Sequence, residues 1–286
     1  MTWSNVLMMS LCFVYDAVGH VIQTLPEGEP VWGVTSLDNS LYVLRANKSS
    51  EQIEVYDIDS YRLLRCLTVP ELGNKGDIVA CRHNRCAYIS DWSQNSVHRL
   101  ALSDGTVTHW PVHDEPACLS LTHRHSVLVT CREVRKIKEF RTDGQLLHVL
   151  TLPQDVVSPW HTIQLSSGQF VVCHGNRDDP LHRVCLIGSD GSIVKSFGGP
   201  KGSGSQQMHV PGQMAVDRNE FVFVADVNNY RVLLLSSQLT YVRDVVSRKQ
   251  LMWKPLRIHL DSNYRGRLYV ADDGKFTVGR VVVVSV

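Results

Sequence analysis

Short apolar segments recur along this chain at a nearly constant interval. They are rich in β-branched or aromatic residues, and neighbouring segment centres lie 40 to 52 residues apart. The six centres are Val43, Ile89, Val129, Val172, Val224 and Val270. No stretch shows a sustained apolar period of 3.6 residues, so long helices are not expected. Repeats of this length, each built from several short strands, are typical of a β-propeller.

A proline marks the start of the apolar stretch ahead of five of the six segments. The prolines are Pro30, Pro116, Pro159, Pro211 and Pro255, and Gly76 takes the equivalent place in the second unit. Proline is tolerated at the first residue of a strand, where its missing N–H breaks no ladder hydrogen bond. Because two independent markers run in step, the sequence predicts an all-β fold, a six-bladed β-propeller with four antiparallel strands in each blade.

The two ends of the chain are expected to share one blade. The last unit supplies only three strands, and the apolar residues 21–25 form a spare strand near the start. Adding that strand to the last blade closes the ring and covers an exposed sheet edge. We therefore expect a single domain, 1–286, in which residues 1–15 are an extra strand or the edge of a truncation. The expected blades are approximately 30–75, 76–115, 116–158, 159–210, 211–254, and 255–286 plus 16–27.

The composition is that of a folded protein, and the net charge is too small to create a strong electrostatic field around it. Hydrophobic residues make up 43% and charged residues 20%, and 29 basic against 28 acidic residues leave a net charge of +1. This balance gives no global attraction to nucleic acid or to an anionic membrane. The apolar run at 6–14 lacks a basic segment before it and a cleavage site after it, and is too short to cross a bilayer. We expect a cytoplasmic protein with no membrane contact.

Most of the eight cysteines lie inside apolar runs. Buried free cysteine behaves as a small hydrophobe, and we favour this interpretation together with a reducing compartment. Cys81 and Cys86 flank a short polar turn and can approach each other across a hairpin. A single pair with this spacing is compatible with a disulfide, a metal site or two free thiols.

Residues 210–217 and 224–232 resemble an NHL repeat. The shared features are a proline–glycine pair, an inner strand that ends in aspartate, then Val-Ala-Asp and an asparagine followed by an arginine. Residues 255–272 repeat part of this pattern, and the second unit keeps Asp91 and Asn95. Asp226 is interpreted as part of the scaffold, accepting backbone N–H groups of the following loop and pairing with Arg231.

The resemblance extends to the C-terminal propellers of tripartite-motif NHL proteins, which use one face of the disc to bind protein or RNA. Loops on the corresponding face carry aromatic and arginine side chains, which suit protein anchors or stacked bases. The candidate binding residues are Trp32, Arg45, Trp92, Arg132, Trp160, His161, Arg177, Gln213, Asn228, Asn229 and Arg257. The same face also carries Glu133, Asp178, Asp179, Asp226, Asp272 and Asp273, which favours a protein partner over RNA. We expect a non-catalytic binding platform, monomeric as an isolated domain and without a cofactor; a single-stranded RNA-binding module is the alternative.

An enzyme is the second alternative. The sequence has no nucleophile elbow, P-loop, H-E-x-x-H or paired C-x2-C set, and the glycine-rich segment 198–205 lacks the spacing of a phosphate cradle. NHL-type propellers also resemble the zinc-dependent peptidyl-hydroxyglycine lyase, in which histidines of several inner strands hold the metal. The corresponding histidines here are His161, His174 and His259. Blades two, three and five supply no matching inner-strand histidine, and zinc needs three or four converging ligands, so no metal is expected.

Overall fold

The computed structural model describes residues 19–46, 52–73, 76–261, 266–274 and 277–286. The expectations for residues 1–15 and for the turn at 16–18 lie outside these ranges. The described residues form six four-stranded antiparallel sheets arranged as the blades of a propeller. The predicted fold class is confirmed.

Blades 1 to 3 follow one another along the chain. Blade 1 consists of β2 (Val31–Leu37), β3 (Ser40–Arg45), β4 (Gln52–Asp57) and β5 (Leu63–Thr68). Blade 2 consists of β6 (Ile78–Cys81), β7 (Cys86–Asp91), β8 (Ser96–Ala101) and β9 (Val107–Pro111). Blade 3 consists of β10 (Pro116–Leu121), β11 (Val127–Cys131), β12 (Lys136–Phe140) and β13 (Leu146–Thr151).

Blades 4 to 6 complete the ring. Blade 4 consists of β14 (Pro159–Gln164), β15 (Phe170–His174), β16 (His182–Ile187) and β17 (Ile193–Gly199). Blade 5 consists of β18 (Pro211–Val216), β19 (Val222–Asp226), β20 (Arg231–Leu235) and β21 (Tyr241–Val246), with a one-turn 3₁₀ helix at Val227–Asn229. Blade 6 consists of β22 (Lys254–Leu260), β23 (Arg267–Asp273) and β24 (Gly279–Ser285), joined at its outer edge by β1 (Val21–Thr24).

In blades 2 to 6 the second strand is the most buried element, and in blade 1 the first two strands are almost entirely buried. Every residue of β7, β11, β15 and β19 is buried, because both faces of these strands are covered by a neighbouring blade. Between blades 2 and 3, for example, Tyr88 and Trp110 meet Leu119 and Val129 in one apolar cluster. Two-sided burial explains why these strands appear in the sequence as continuous apolar runs rather than as alternating ones. The outer strand β5, by contrast, is largely exposed.

Ring closure occurs through the predicted spare strand. β1 pairs antiparallel with β24, with Val21 opposite Val284 and Thr24 opposite Val282. Arg45 at the end of β3 reinforces the joint: Nη1 donates to the carbonyl oxygens of Glu29 (2.8 Å) and Gly279 (3.0 Å), and Nη2 donates to that of Pro26 (3.0 Å). One buried guanidinium therefore connects blade 1, the segment after β1, and blade 6.

The aspartates at the ends of the second strands of blades 5 and 6 hold the connections leading into these blades. Oδ1 of Asp226 accepts the backbone N–H of His209 at 2.7 Å, and Oδ2 accepts Nε of Arg231 at 2.8 Å. The pairing with Arg231 is as predicted, but the backbone donor belongs to the preceding connection rather than to the following loop. Asp272 likewise accepts the N–H groups of Met252 and Trp253. The aspartate at the end of the second strand thus reaches back to the chain that enters its own blade.

The described cysteines are free thiols. Cys81 and Cys86 lie opposite each other in the β6–β7 hairpin, and both are buried. Cys66 on the outer strand β5 is exposed. The glycine-rich segment begins inside β17 and continues into the connection to blade 5, where Asn229 Nδ2 donates to the carbonyl oxygen of Gly202 at 2.8 Å. Among the described residues, no helix has the length and apolar character needed to cross a membrane.

Candidate functional site

The six inner strands bring one set of equivalent positions to the central channel. In each blade, one inner-strand residue pairs with the centre of the apolar segment, as Leu119 pairs with Val129 and Met214 with Val224. The equivalent position is the residue directly before it. In five blades the strand register shifts at this point, so that a bulge interrupts the regular alternation of side chains. The six positions, which we call the channel ring, are Gly33, Asp77, Cys118, His161, Gln213 and Arg257.

The polar side chains of the channel ring satisfy one another across blades. Gln213 Nε2 donates to both carboxylate oxygens of Asp77, at 3.0 and 3.1 Å, while its Oε1 accepts the N–H of Ile258 at 2.9 Å. Asp77 Oδ2 also accepts the N–H of Leu119 at 3.0 Å. Buried polar groups without such partners are costly, and this network removes that cost. The channel ring therefore ties blades 2, 3, 5 and 6 together.

Arg257 is the largest fully buried side chain of the ring. Its Nε donates to the carbonyl oxygen of Trp32 at 2.7 Å, and its Nη1 lies 3.2 Å from Sγ of Cys118. Burial raises the pKa of the Cys118 thiol, although the guanidinium of Arg257 acts in the opposite direction. The thiol is consequently protonated at neutral pH and is not an activated nucleophile.

His161 is also fully engaged by backbone groups. Its Nδ1 accepts the N–H of Met214 at 3.2 Å, and its Nε2 lies 3.1 Å from the carbonyl oxygen of Leu119. This pattern requires a neutral ring protonated at Nε2. Burial lowers the pKa of His161, which stabilises the same neutral form. Neither ring nitrogen is available to bind a metal or to take up a substrate proton.

The other two histidines considered as metal ligands are likewise bonded within the protein. His174 Nε2 accepts Nε of Arg183 at 3.2 Å, and burial lowers the pKa of His174 to about 4. His259 Nε2 lies 3.0 Å from the backbone nitrogen of Ser36 and 2.9 Å from its hydroxyl. No group of three His, Cys, Asp or Glu side chains within the described ranges is arranged to hold a metal ion.

Three of the candidate residues form a stack on the loop face. The guanidinium carbon of Arg132 lies 4.6 Å from the ring centroid of Trp160, and the ring centroids of Trp92 and Trp160 are 6.0 Å apart, with the two rings tilted by 40°. Trp92 Nε1 donates to the carbonyl oxygen of Ala117 at 3.2 Å, which fixes this ring over blade 3. Cation–π contact and ring packing preorganise the stack. We call Trp92, Arg132 and Trp160 the tryptophan stack.

A cavity of about 390 Å³ adjoins the tryptophan stack on the same face. It lies between blades 4, 5 and 6, and we call it the loop-face pocket. Trp160, Arg177 and Asn228 were candidates from the sequence; Asn176, Lys254 and Asp273 add polar groups, and Val210, Val227 and Leu256 form the apolar part. Lys254 Nζ donates to Asn228 Oδ1. The pocket thus combines an aromatic wall, an apolar floor and two cationic side chains.

The sequence-based candidates therefore fall into three groups. Trp92, Arg132, Trp160, Arg177 and Asn228 lie together at the stack and the loop-face pocket. His161, Gln213 and Arg257 belong to the buried channel ring. Trp32, Arg45 and Asn229 support the scaffold, since Trp32 packs between blades 1 and 2, Arg45 joins the ring ends and Asn229 anchors Gly202.

Sequence reasoning missed Asp77, Cys118 and Lys254. Asp77 follows Gly76, which replaces the marker proline, and Cys118 resembles an ordinary core residue. An alignment of the six inner strands would have placed Asp77 and Cys118 in one column with His161, Gln213 and Arg257. Lys254 precedes the marker Pro255, but its meaning depends on the neighbouring blades, which no local pattern shows.

Comparison with known proteins identifies the fold alone. No protein-family model and no curated protein matches the sequence. The chain is similar in structure to virginiamycin B lyase from Staphylococcus aureus, with 12% identity and a TM-score of 0.64 over 91% of this chain and 88% of that one. It is also similar to the Cps50 (Swd1) β-propeller domain from Myceliophteria thermophila, with 10% identity and a TM-score of 0.64 over 94% and 99%. The WD40 propeller domain of Doa1 gives 12% identity and a TM-score of 0.61 over 92% and 96%.

Proposed function

We propose that this propeller is a protein-interaction platform that binds its partner through the loop face, with the loop-face pocket and the tryptophan stack as the contact centre. The observation that carries the proposal is the position of Trp160, which belongs to both features. Through it, side chains from blades 2 to 6 form one continuous surface. Aromatic and arginine side chains around a pocket are typical anchors of protein interfaces.

We further propose that the chain is an NHL-type propeller. The support is the network at the end of β19, where Asp226 accepts hydrogen bonds from His209, Asn229 and Arg231. The Asp272 network with Trp253 and Arg280 repeats it in blade 6. A cytoplasmic location and a monomeric state remain predictions. The free thiols of Cys81 and Cys86 agree with the former.

A lyase activity has less support. The fold is shared with virginiamycin B lyase at 12% identity, which carries no information on substrate. Both ring nitrogens of His161 are already engaged by backbone groups, so neither lone pair is free for a metal. Binding at the loop face is therefore the function that the geometry supports best.

Site-specific photo-crosslinking in cells tests the proposal. A benzoylphenylalanine replaces Asp178, which is exposed beside the pocket, and in a matched control it replaces the exposed Arg65 of the outer strand β5. We expect a discrete protein adduct from position 178 and none of the same mass from position 65. The captured protein is then purified, and its direct binding is measured with and without Arg132→Ala.

Two outcomes would contradict a protein-interaction platform. Equal adducts from both positions would show that the loop face has no preference for the partner. An adduct that ribonuclease removes and protease leaves behind would favour the RNA-binding alternative. Arg132→Ala should weaken the purified interaction by about twofold to thirtyfold, since a cation–π contact contributes ~0.5–2 kcal/mol.

A further inference from the structure

We infer that the loop-face pocket recognises an acidic residue, aspartate or glutamate, within an extended peptide, with an apolar neighbour in that peptide lying against Trp160. The inference rests on the proposed function and names the chemistry of the partner segment. It is carried by the charges, the donors and the shape of the pocket.

Positive charge is concentrated at one side of the pocket. Arg177 and Lys254 line it, and Lys201 Nζ lies 3.5 Å from the carbonyl oxygen of Arg177. All three cations act on nearby His209: burial lowers the pKa of His209, and Lys201, Lys254 and Arg177 lower it further. The carboxylate of Asp226 raises the pKa of His209, and it accepts hydrogen bonds from Asn229 and Arg231. The cations therefore lie on one side of the pocket, and Asp273 is the carboxylate that lines it.

Two of the hydrogen-bond donors at the pocket, Arg177 and Trp160, have no partner among the described residues. The guanidinium of Arg177 is exposed and makes no hydrogen bond or ion pair with the described residues. Trp160 Nε1 is buried without a hydrogen-bond partner in the same part of the chain. A planar guanidinium can bind a carboxylate through two parallel hydrogen bonds.

The size and lining of the pocket indicate how much of a partner enters. A volume of about 390 Å³ is near the lower end of the ~300–1,000 Å³ range of ligand sites, which suits one or two side chains. Val210, Val227 and Leu256 supply an apolar floor beside the cations. An acidic side chain flanked by an aliphatic or aromatic one matches this mixture. A lone inorganic anion would leave the floor uncovered.

The charges around the pocket favour peptide over nucleic acid. Asp178 and Asp179 follow Arg177 directly, and Asp273 lies opposite Lys254 in the β22–β23 register. Asp179 Oδ2 accepts the N–H of Asn176 at 2.7 Å and so stays at the rim. A nucleic acid places a phosphate at every nucleotide and would bring several of them close to these carboxylates. A peptide with one acidic residue brings a single negative charge to the cations.

An array of acetylated, C-terminally amidated nine-residue peptides tests the inference. The central pair is Leu-Glu in one set and Leu-Gln in the other, with random flanking positions. The purified propeller is applied, and the tightest binders are measured in solution by fluorescence anisotropy. We expect the Glu set to contain binders whose Gln counterparts bind at least about tenfold more weakly, because a charge-assisted hydrogen bond contributes ~1.5–3 kcal/mol.

Variants link the preference to the pocket. Arg177→Glu should reduce binding of the Glu peptides by about tenfold or more and should improve binding of Lys-substituted versions. The matched control Arg65→Glu, which makes the same charge change on the exposed outer strand, should leave binding unchanged. Circular dichroism and thermal unfolding of both variants confirm that each is folded.

Failure of the inference and failure of the proposed function give different results. Equal binding of Glu and Gln peptides, or binding that Arg177→Glu leaves intact, overturns the acidic anchor while the photo-crosslinked partner can still map to position 178. Binding that appears only when the same peptides are made with a free C-terminus overturns it in favour of a terminal carboxylate. Displacement of the peptides by single-stranded RNA at low salt overturns it in favour of nucleic acid. Loss of the position-178 adduct overturns both.

Discussion

Arg257 and Cys118 meet across the central channel, with 3.2 Å between Nη1 of the arginine and Sγ of the cysteine. They belong to blades 6 and 3, which lie on opposite sides of the ring. The contact therefore spans the channel between the loop face and the opposite opening. On that opposite side the channel widens into a cavity of about 290 Å³ that all six inner strands line. The ring acts as an internal clamp on the propeller.

Removing the guanidinium should destabilise the fold strongly. Arg257→Met leaves the carbonyl oxygen of Trp32 without its donor and leaves the buried Asp77 without this cationic neighbour. Loss of one partner from a buried charged network typically costs ~3–5 kcal/mol. Urea unfolding followed by tryptophan fluorescence measures this cost. The exposed Arg62→Met serves as the control.

A double substitution separates charge from packing in the channel ring. Adding Asp77→Asn to Arg257→Met removes the uncompensated buried charge, so part of the lost free energy of unfolding should return. The amide oxygen introduced by Asp77→Asn can still accept the N–H of Leu119, which donates to Asp77 in the native chain. If the double variant is as unstable as the sum of the single variants, the ring is held by packing rather than by electrostatics.

Arg45 should control closure of the propeller. Arg45→Met removes the donors to Glu29, Pro26 and Gly279, so the segment after β1 and the start of β24 lose their common anchor. Hydrogen–deuterium exchange should rise in residues 19–29 and 277–286 and stay unchanged in blade 3. The exposed Arg65→Met is the control, and an increase spread evenly over all blades would contradict a local role in closure.

The sequence predicted the scaffold well because its signals are local. A marker proline recurs in five of the six blades and a buried second strand in all six, and neither depends on distant contacts. The site was predicted less completely. His161, Gln213 and Arg257 were expected on the loop face, but a bulge at the start of the inner strand places them in the channel. A bulge inserts one residue without changing composition, so the apolar period does not show it.

The sequence predicted only part of the loop-face pocket, for a different reason. Trp160, Arg177 and Asn228 stand out as large or polar residues at strand ends. Lys254 and Leu256, however, join them through the packing of blade 6 against blade 5. Contacts between blades are set by the ring geometry and by the lengths of the connections. Residues about 80 positions apart along the chain therefore share a site that no short motif indicates.

Thiol labelling tests the burial of the cysteines. In a Cys12→Ser background, iodoacetamide should modify Cys66 first, because it is the exposed cysteine among those described. Burial and the neighbouring Glu54 raise the pKa of the Cys66 thiol, so its reaction should be slow at pH 7 and faster at pH 9. Peptide mass spectrometry should find Cys81, Cys86 and Cys118 unmodified until urea is added. A Cys81–Cys86 disulfide in the purified protein would contradict the free-thiol assignment.

Mild acid should weaken the fold through its buried histidines. Burial lowers the pKa of both His174 and His259 to about 4, from an ordinary value of 6.5. Between these values the unfolded chain binds protons that the folded chain does not bind, so the free energy of unfolding falls as pH falls from 6.5 to 4. For His259 alone this difference is on the order of 3 kcal/mol.

His259→Gln should flatten this pH dependence, because glutamine can still accept the N–H of Ser36 and does not titrate. Urea unfolding at pH 7.5, 6 and 5 measures the slope, and His148→Gln, on the exposed face of β13, is the matched control. Equal slopes for the native chain and His259→Gln would mean that His259 is protonated in the folded state, and so would contradict its lowered pKa. A smaller slope in His259→Gln alone would assign this part of the acid sensitivity to the channel wall, where His259 stacks on Tyr269.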